Sequence, residues 1–146
     1  MSDSTLVRYC AEQCKRQGSG EISVADMYDA WMYACEHAID SADIVEALGK
    51  MVEPTVNASG FRRVNVRIGG QVKPVVDFRR AINLLLFSLA ECNISPNEAY
   101  REFEELHPFE DGNGRVGAIL FNKWCSSMWA PQPCPEELYP DFFSSQ

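Results

Sequence analysis

The chain has 146 residues, of which 46% are hydrophobic and 23% charged, a balance typical of one folded domain and not of a disordered chain. Its net charge of −8, from 13 basic and 21 acidic residues, argues against general nucleic-acid binding, because phosphate backbones would be repelled. The longest apolar run, residues 81–90, is interrupted and too short to span a membrane, and residues 1–4 lack the start of a signal peptide, so we expect a cytoplasmic protein without a membrane partner.

Three helices are predicted in the first third of the chain. Residues 3–17 have helical periodicity and end at a glycine-serine-glycine run. A second helix should begin with Ser23 as its N-cap, and a third should cover residues 42–51. Cys10 and Cys14 lack further soft ligands at the spacing of a metal site, so we interpret the six cysteines as reduced thiols, mostly buried.

Residues 61–75 change to the period of a β-strand and predict a short β-hairpin. Val64, Val66 and Ile68 alternate with polar residues, two glycines follow, and Pro74 stands late in the returning strand. A hairpin is marginally stable alone, so we expect this one to lean on the helices with one edge exposed.

The charge of the chain is uneven. Six basic residues and the single acid Asp77 give segment 61–80 a net charge of +5, which leaves −13 for the rest of the chain. The basic residues are Arg62, Arg63, Arg67, Lys73, Arg79 and Arg80. This segment is therefore strongly basic within an acidic chain.

Two helices follow the hairpin. Asp77 is the predicted cap of a strongly apolar helix, which we interpret as a central, buried element. Ser95, Pro96 and Glu98 have the pattern of a capping box with proline in the first turn, and they predict the start of the next helix.

The next helix should end near His107, because Pro108 disfavours helical geometry at the residue before it. A loop then leads into a long helix predicted over residues 113–128. Residues 131–146 are rich in proline and predict a tail that wraps the surface or forms a short helix.

The loop between the last two long helices carries the most chemistry. Residues 107–115 read His-Pro-Phe-Glu-Asp-Gly-Asn-Gly-Arg. His107 can accept a proton near neutral pH, and Asp111 can hold a hard cation such as Mg²⁺. Phe109 has no chemistry of its own, so we expect it to plug the core and fix the loop.

The second half of this run is suited to a phosphate. Gly112 and Gly114 let the backbone turn tightly, Asn113 can direct its carboxamide at an oxygen of the transferred group, and Arg115 stands at a helix N-terminus, which favours anions. Each residue alone is more often an ordinary cap, turn or packed side chain, but their joint spacing is far more specific. The combination predicts transfer chemistry on a phosphate ester.

The run from His107 to Arg115 resembles the signature of the Fic (Fic/Doc) family, in the branch whose motif is His-x-Phe-x-(Asp/Glu)-Gly-Asn-Gly-Arg-x-x-Arg. The flanking helices and the upstream hairpin are similar to the family's layout, which extends the resemblance to about residues 20–130 of a single domain over residues 1–146. The resemblance implies an all-α fold, a Fic-type helical bundle in which the hairpin is a flap that clamps a target segment by strand addition.

The resemblance also implies an activity. Most members transfer AMP from ATP to a Ser, Thr or Tyr hydroxyl of a protein, with Mg²⁺. His107 would be the base and Asp111 the metal ligand, and the target protein would dock at hairpin 61–75. The arginines of this hairpin would then form a docking surface for an acidic partner, or else a solvated edge whose charges block aggregation. The phosphate site would be formed by Gly112, Asn113, Gly114 and Arg115.

Two features depart from the family's pattern. Ala118 stands where the motif has its second Arg, which holds the terminal phosphates in AMP-transferring relatives; such a charge-assisted clamp is worth about 1.5–3 kcal/mol. The inhibitory motif Ser/Thr-x-x-x-Glu-(Gly/Asn) does not occur, so regulation by an internal glutamate is not expected.

Alternatives to nucleotide transfer therefore stay open. Some relatives without the second Arg transfer phosphocholine from CDP-choline. The chain could also be a degenerate, non-catalytic Fic-fold binding module that acts through its hairpin. Phosphotransfer in the manner of Doc toxins is less favoured, because those have Lys where this chain has Gly114.

Overall fold

A computed structural model describes residues 3–18 and 21–138, and it has a helical bundle with one short β-hairpin. The helices are α1 (Asp3–Arg16), α2 (Glu21–Glu36), α3 (Ala42–Val52), α4 (Phe78–Ala90), α5 (Pro96–Leu106), α6 (Asn113–Trp124) and α7 (Pro135–Leu138), and the strands are β1 (Val66–Ile68) and β2 (Gln71–Lys73). The expected all-α fold with a short hairpin is confirmed. None of the described helices is both long and apolar enough to cross a bilayer.

Helix α6 lies at the centre of the bundle, in contact with α1, α2, α3 and α5. Nine of its twelve residues are buried, so other elements enclose it on nearly every side. The surrounding core includes Leu6 of α1, Trp31 of α2 and Leu48 of α3, all fully buried. Because α6 begins directly after the 107–112 loop, the hydrophobic core also determines where that loop lies.

The prediction that the helix after Asp77 is central and buried is wrong. Helix α4 packs against α3 and α5 with one face, and the opposite face exposes Leu84 and Phe87. The buried face carries Phe78, Ile82, Leu85 and Leu86. The helix has more apolar residues than its neighbours can cover, so the burial predicted from its composition was too high.

The predicted caps of α4 and α5 are confirmed, whereas the start of α2 differs. The Asp77 side chain accepts a hydrogen bond from the Arg80 N–H (3.1 Å). Ser95 and Glu98 form a complete capping box at the start of α5. Helix α2 already includes the two residues before Ser23, so this serine lies inside the helix and is not its N-cap.

The prediction that the last long helix extends to residue 128 is wrong, because helix α6 ends at Trp124. Ser126 adopts left-handed backbone geometry (φ 56°), and the Ser127 N–H turns back to donate to the Asn122 carbonyl (2.8 Å). The tail then forms the expected short helix, α7. The rest of the predicted tail, residues 139–146, lies outside the described part of the chain.

The predicted hairpin is confirmed, with strands that are shorter than the 61–75 pattern. Strands β1 and β2 pair antiparallel, with Val66 opposite Lys73. Gly69 and Gly70 form the turn with φ angles of 56° and 82°, values that residues with a side chain rarely adopt. The two strands form a two-stranded sheet, so each has one edge without a sheet partner in the described residues.

A buried acid, Glu104, lies on α5. Tyr100 of the same helix and Glu136 of α7 lie close to its carboxyl group. Burial raises the pKa of Glu104 to about 8, and the charge of Glu136 acts in the same direction. Glu104 is therefore largely protonated in the folded chain at neutral pH.

Replacing Glu104 with Gln should flatten the pH dependence of stability. An unfolded Glu loses its proton near pH 4.5, whereas folded Glu104 keeps it up to about pH 8, so the folded chain binds more protons in this window. The free energy of unfolding should fall as pH rises through the window, at up to roughly 1.4 kcal/mol per pH unit from this group. Urea unfolding at a series of pH values measures the slope.

The exposed Glu102→Gln change on the same helix is the matched control, and it should keep the slope of the unmodified chain. Equal slopes in the two variants would show that Glu104 does not bind the extra proton.

Candidate active site

The candidate site lies where α5 ends and α6 begins. His107 is the C-cap residue of α5 and has left-handed backbone geometry (φ 51°, ψ 62°), which costs a residue with a side chain about 1 kcal/mol. Pro108 follows it and prevents another helical turn. The predicted helix end at His107 is confirmed, and this strained turn sets the direction in which the chain leaves α5.

Asn113 and Phe109 hold the loop together. The Asn113 Oδ1 accepts from the Phe109 N–H (2.9 Å), and its Nδ2 donates to the Phe109 carbonyl (2.8 Å). Phe109 is fully buried, and a Cβ added to Gly49 of α3 would overlap its ring. Phe109 therefore plugs the core, as expected. Asn113 uses both polar ends of its side chain within the loop, and its contact with a ligand stays a prediction.

Arg115 is buried in the first turn of α6, with 1% of its side chain exposed. Its Nη1 donates to the Val52 carbonyl (3.0 Å), and its Nη2 donates to Glu53 (3.1 Å) and lies 3.6 Å from Asp111. These contacts join α6 to the end of α3. Glu53, which the sequence did not suggest, already neutralises this guanidinium. Phosphate binding by Arg115 stays a prediction, and it requires that Glu53 and the phosphate share the guanidinium.

Asp111 presents an exposed carboxylate on the loop. Its Oδ1 accepts from the Gly112 N–H (2.7 Å), and 56% of the side chain is exposed. Asn57 fixes the same residue by donating to its main-chain carbonyl (2.8 Å). A solvated carboxylate on fixed backbone fits Mg²⁺, which keeps several waters and takes one or two carboxylates together with phosphate oxygens. Within residues 3–18 and 21–138, no group of three or more His, Cys, Asp or Glu residues could hold a metal ion.

The first turn of α6 offers main-chain amides to an anion. The Val116 N–H donates to the Gly112 carbonyl (3.0 Å). The N–H groups of residues 113–115 come before this bond at the start of the helix, where main-chain N–H groups have no acceptor within the helix and can bind an anion. Gly114 faces the side chain of Gln17, the residue that follows α1, and an added Cβ would approach its Oε1 to 2.6 Å. Gln17 therefore borders the phosphate site predicted over residues 112–115, and position 114 accommodates only glycine unless the Gln17 side chain moves.

His107 is half-buried, and its surroundings favour the neutral imidazole. Loss of solvation lowers the pKa of His107 below its ordinary value, and the positive charges of Arg62 and Lys73 lower it further. A hydrogen bond to the Glu104 main-chain carbonyl acts in the opposite direction. A neutral imidazole that donates from one nitrogen keeps a free lone pair on the other. His107 thus has the protonation state that a general base needs near neutral pH.

Arg62 is a site residue that the sequence analysis placed on the surface. It is 3% exposed, and its guanidinium donates to five main-chain carbonyls, the shortest contact being 2.6 Å from Nε to His107. The five belong to Val64, Lys73, Pro74, Leu106 and His107. Arg62 therefore fastens both arms of the hairpin to the end of α5. The alternation of the segment groups Arg62 with Val64, but Val64 is itself 51% exposed, so this pattern did not signal the burial of Arg62.

Fewer basic side chains of segment 61–80 are therefore available to a partner than its net charge suggested. Arg62 is buried, and Arg79 forms ion pairs with Asp43 and Glu46 of α3. Arg63, Arg67 and Arg80 are exposed and outside these ion pairs, and Lys73 is half-buried.

Ala118, at the position of the second motif Arg, is fully buried in the core. The neighbouring Gly117 packs so closely on α5 that an added Cβ would meet Glu104. Because Ala118 is enclosed in the core, a long side chain at this position would have to displace buried neighbours. Lys123, a cation further along α6, donates to the Ala34 carbonyl (2.6 Å) and is engaged away from the loop.

Comparison with known proteins points to this part of the chain. Residues 95–125 match the sequence model of the Fic/DOC family, a stretch that begins at the N-cap of α5 and ends just after α6. The match spans about a fifth of the chain. No curated protein matches the chain. The match supports a resemblance to Fic proteins at the helix–loop–helix unit that carries His107 and Asp111.

Lys73→Gln should raise the pKa of His107, because it removes a positive charge and leaves the residue 73 carbonyl bonded to Arg62. Arg62→Met should also raise this pKa and should lower the free energy of unfolding by about 3 kcal/mol, since several buried carbonyls lose their donor. NMR titration of the His107 ring and urea unfolding measure the two effects.

The exposed neighbour Arg63 provides the control. Arg63→Met should leave the free energy of unfolding within about 0.5 kcal/mol of the unmodified chain. If Arg62→Met behaved like Arg63→Met in both measurements, the assigned role of Arg62 would be wrong.

Proposed function

We propose that this chain is a Fic-type transferase that moves AMP, or another nucleotide or phosphate-linked group, from a nucleotide donor to a hydroxyl of a target protein. ATP is the first candidate donor. The observation that carries the proposal is a half-buried His107 with a lowered pKa, joined by one fixed loop to the exposed Asp111 carboxylate and the first amides of α6. The Fic/DOC match at residues 95–125 includes all of these groups.

His107 acts as the general base in this proposal. Its free ring nitrogen takes the proton of the target hydroxyl as that oxygen attacks phosphorus, a new P–O bond forms, and pyrophosphate leaves when ATP is the donor. Because its pKa is lowered, His107 stays a base below its ordinary titration range. The rate should therefore decline only at a pH below about 6.5.

Asp111 and the start of α6 would hold the donor. The Asp111 carboxylate would ligate Mg²⁺, which supplies charge neutralisation at the phosphate oxygens. The amides at the start of α6 and the positive end of its dipole favour an anion, and Gly112 and Gly114 allow its close approach. Asn113 shapes the loop through Phe109.

The hairpin would receive the target protein. Within the described residues each of its strands has one edge without a sheet partner, which suits recognition of an extended segment by strand addition. Arg63 and Arg67 are exposed on it and favour an acidic target segment. Arg62 bonds to both the hairpin and His107, so it would set the position of the bound hydroxyl relative to the base.

A non-catalytic binding module is the second candidate. It is favoured by Arg115, which is already bonded to Val52 and Glu53, and by Ala118, because neither position offers a free guanidinium for terminal phosphates. In this alternative, the hairpin binds a partner and the α5–α6 loop is only structural.

Incubation with Mg²⁺, a cell lysate and labelled ATP, CTP, GTP, UTP or CDP-choline tests the transferase. His107→Ala should reduce label incorporation by about 10²–10⁴-fold, because it removes the base. His37→Ala is the matched control, since His37 is the other histidine of the chain, exposed and stacked on Tyr33. The control variant should keep full activity.

Calorimetry separates the two candidates. The transferase should bind a nucleotide in the presence of Mg²⁺, and Asp111→Ala should weaken this binding. If no donor labels any protein and no nucleotide produces binding heat, the transferase proposal fails and the binding module is favoured.

A further inference from the structure

Helix α4 carries an exposed stripe on the side that faces away from the bundle. Leu84 and Phe87, at 57% and 61% exposure, are the most exposed large apolar residues in the described part of the chain. Arg80 lies one turn before them, and Glu91, the C-cap residue, lies one turn after. These four residues are spaced four, three and four apart, as in the seam of a coiled coil. We call them the α4 stripe.

Both charges of the α4 stripe are available for an external partner. Arg79, the neighbour of Arg80, is engaged with Asp43 and Glu46 of α3. Arg80 and Glu91 are exposed, and the ion pairs of residues 3–18 and 21–138 do not include them.

The α4 stripe is complementary to its own reversed copy. It reads positive, apolar, apolar, negative from Arg80 to Glu91. In two antiparallel copies related by a twofold axis midway between Leu84 and Phe87, each Leu84 faces a Phe87 and each Arg80 faces a Glu91. A parallel pair would instead set Arg80 against Arg80.

We propose that two copies of this chain associate through the α4 stripe in this antiparallel, twofold arrangement. A second copy is the occupant because the reversed stripe covers both apolar residues and pairs both charges at once. Burial of Leu84 and Phe87 from each copy drives the association, and the two ion pairs fix its direction.

The arrangement leaves both hairpins accessible. Helix α4 has 13 residues and is about 20 Å long, and each hairpin precedes its N-terminus. Antiparallel pairing therefore sets the two hairpins at opposite ends. One helix pair buries less than a standard interface of about 1,600 Å², so we expect a weak, concentration-dependent dimer. The association does not depend on the proposed function.

Sedimentation velocity of the full chain over about a hundredfold range of concentration tests for the dimer. We expect a monomer–dimer equilibrium that Leu84→Glu weakens by at least about tenfold. Val72→Glu is the matched control, because Val72 is a similarly exposed apolar residue on the hairpin, at 49%. It should leave the equilibrium unchanged. Circular dichroism and thermal midpoints verify that both variants are folded.

Charge exchange tests the direction of pairing. Arg80→Glu and Glu91→Arg each bring like charges together in the antiparallel arrangement, and each should weaken the dimer by about tenfold. The double variant carries both changes, and it should dimerise like the unmodified chain, since every pair is again of opposite charge.

Three results would overturn the proposal. One is a chain that stays monomeric at every concentration. Another is a dimer that Leu84→Glu does not weaken, which would place the contact elsewhere. The third is a double charge variant that stays as weak as the single variants, which would exclude antiparallel pairing.

Discussion

The site depends on one constraint, which is that the main-chain polar groups of the loop between α5 and α6 must be satisfied away from water. Each unpaired group there would cost about 1–3 kcal/mol. Arg62 binds the carbonyls at the end of α5, Asn57 binds that of Asp111, and Asn113 binds both polar groups of Phe109. These side chains come from the base of the hairpin, the segment after α3 and the start of α6, so the hydrogen bonds that satisfy the loop also hold those elements around it.

Two buried arginines connect the stability of this unit with its electrostatics. A buried guanidinium needs acceptors to offset its lost hydration, and Arg62 finds them in carbonyls while Arg115 finds them in Val52 and Glu53. The charge of Arg62 in turn lowers the pKa of His107. A change at either arginine therefore alters both the shape of the loop and its charge. Arg62 and Arg115, whose positions suggested ligand binding, are used first as hydrogen-bond donors inside the protein.

Local signals in the sequence predicted local features well. The capping box at Ser95, the two-glycine turn and the end of α5 before Pro108 each involve residues within one turn of each other, and all three are confirmed. The start of α2 was misplaced at Ser23 because a serine fits inside the first turns of a helix as well as at its cap. The misjudged burial of α4 has a different origin, since it concerns what packs on the helix and not whether the helix forms.

By itself, the sequence determined a helical bundle with one hairpin, and it placed His107 and Asp111 in one short loop, because caps, turns and a contiguous motif depend on near neighbours. Only the tertiary structure decided that Arg62 is buried while Arg63 is exposed, and that Leu84 of α4 remains uncovered. Burial is set by segments that are distant in the chain. When a helix has more apolar residues than its neighbours can cover, its own sequence does not determine which face those neighbours will pack against.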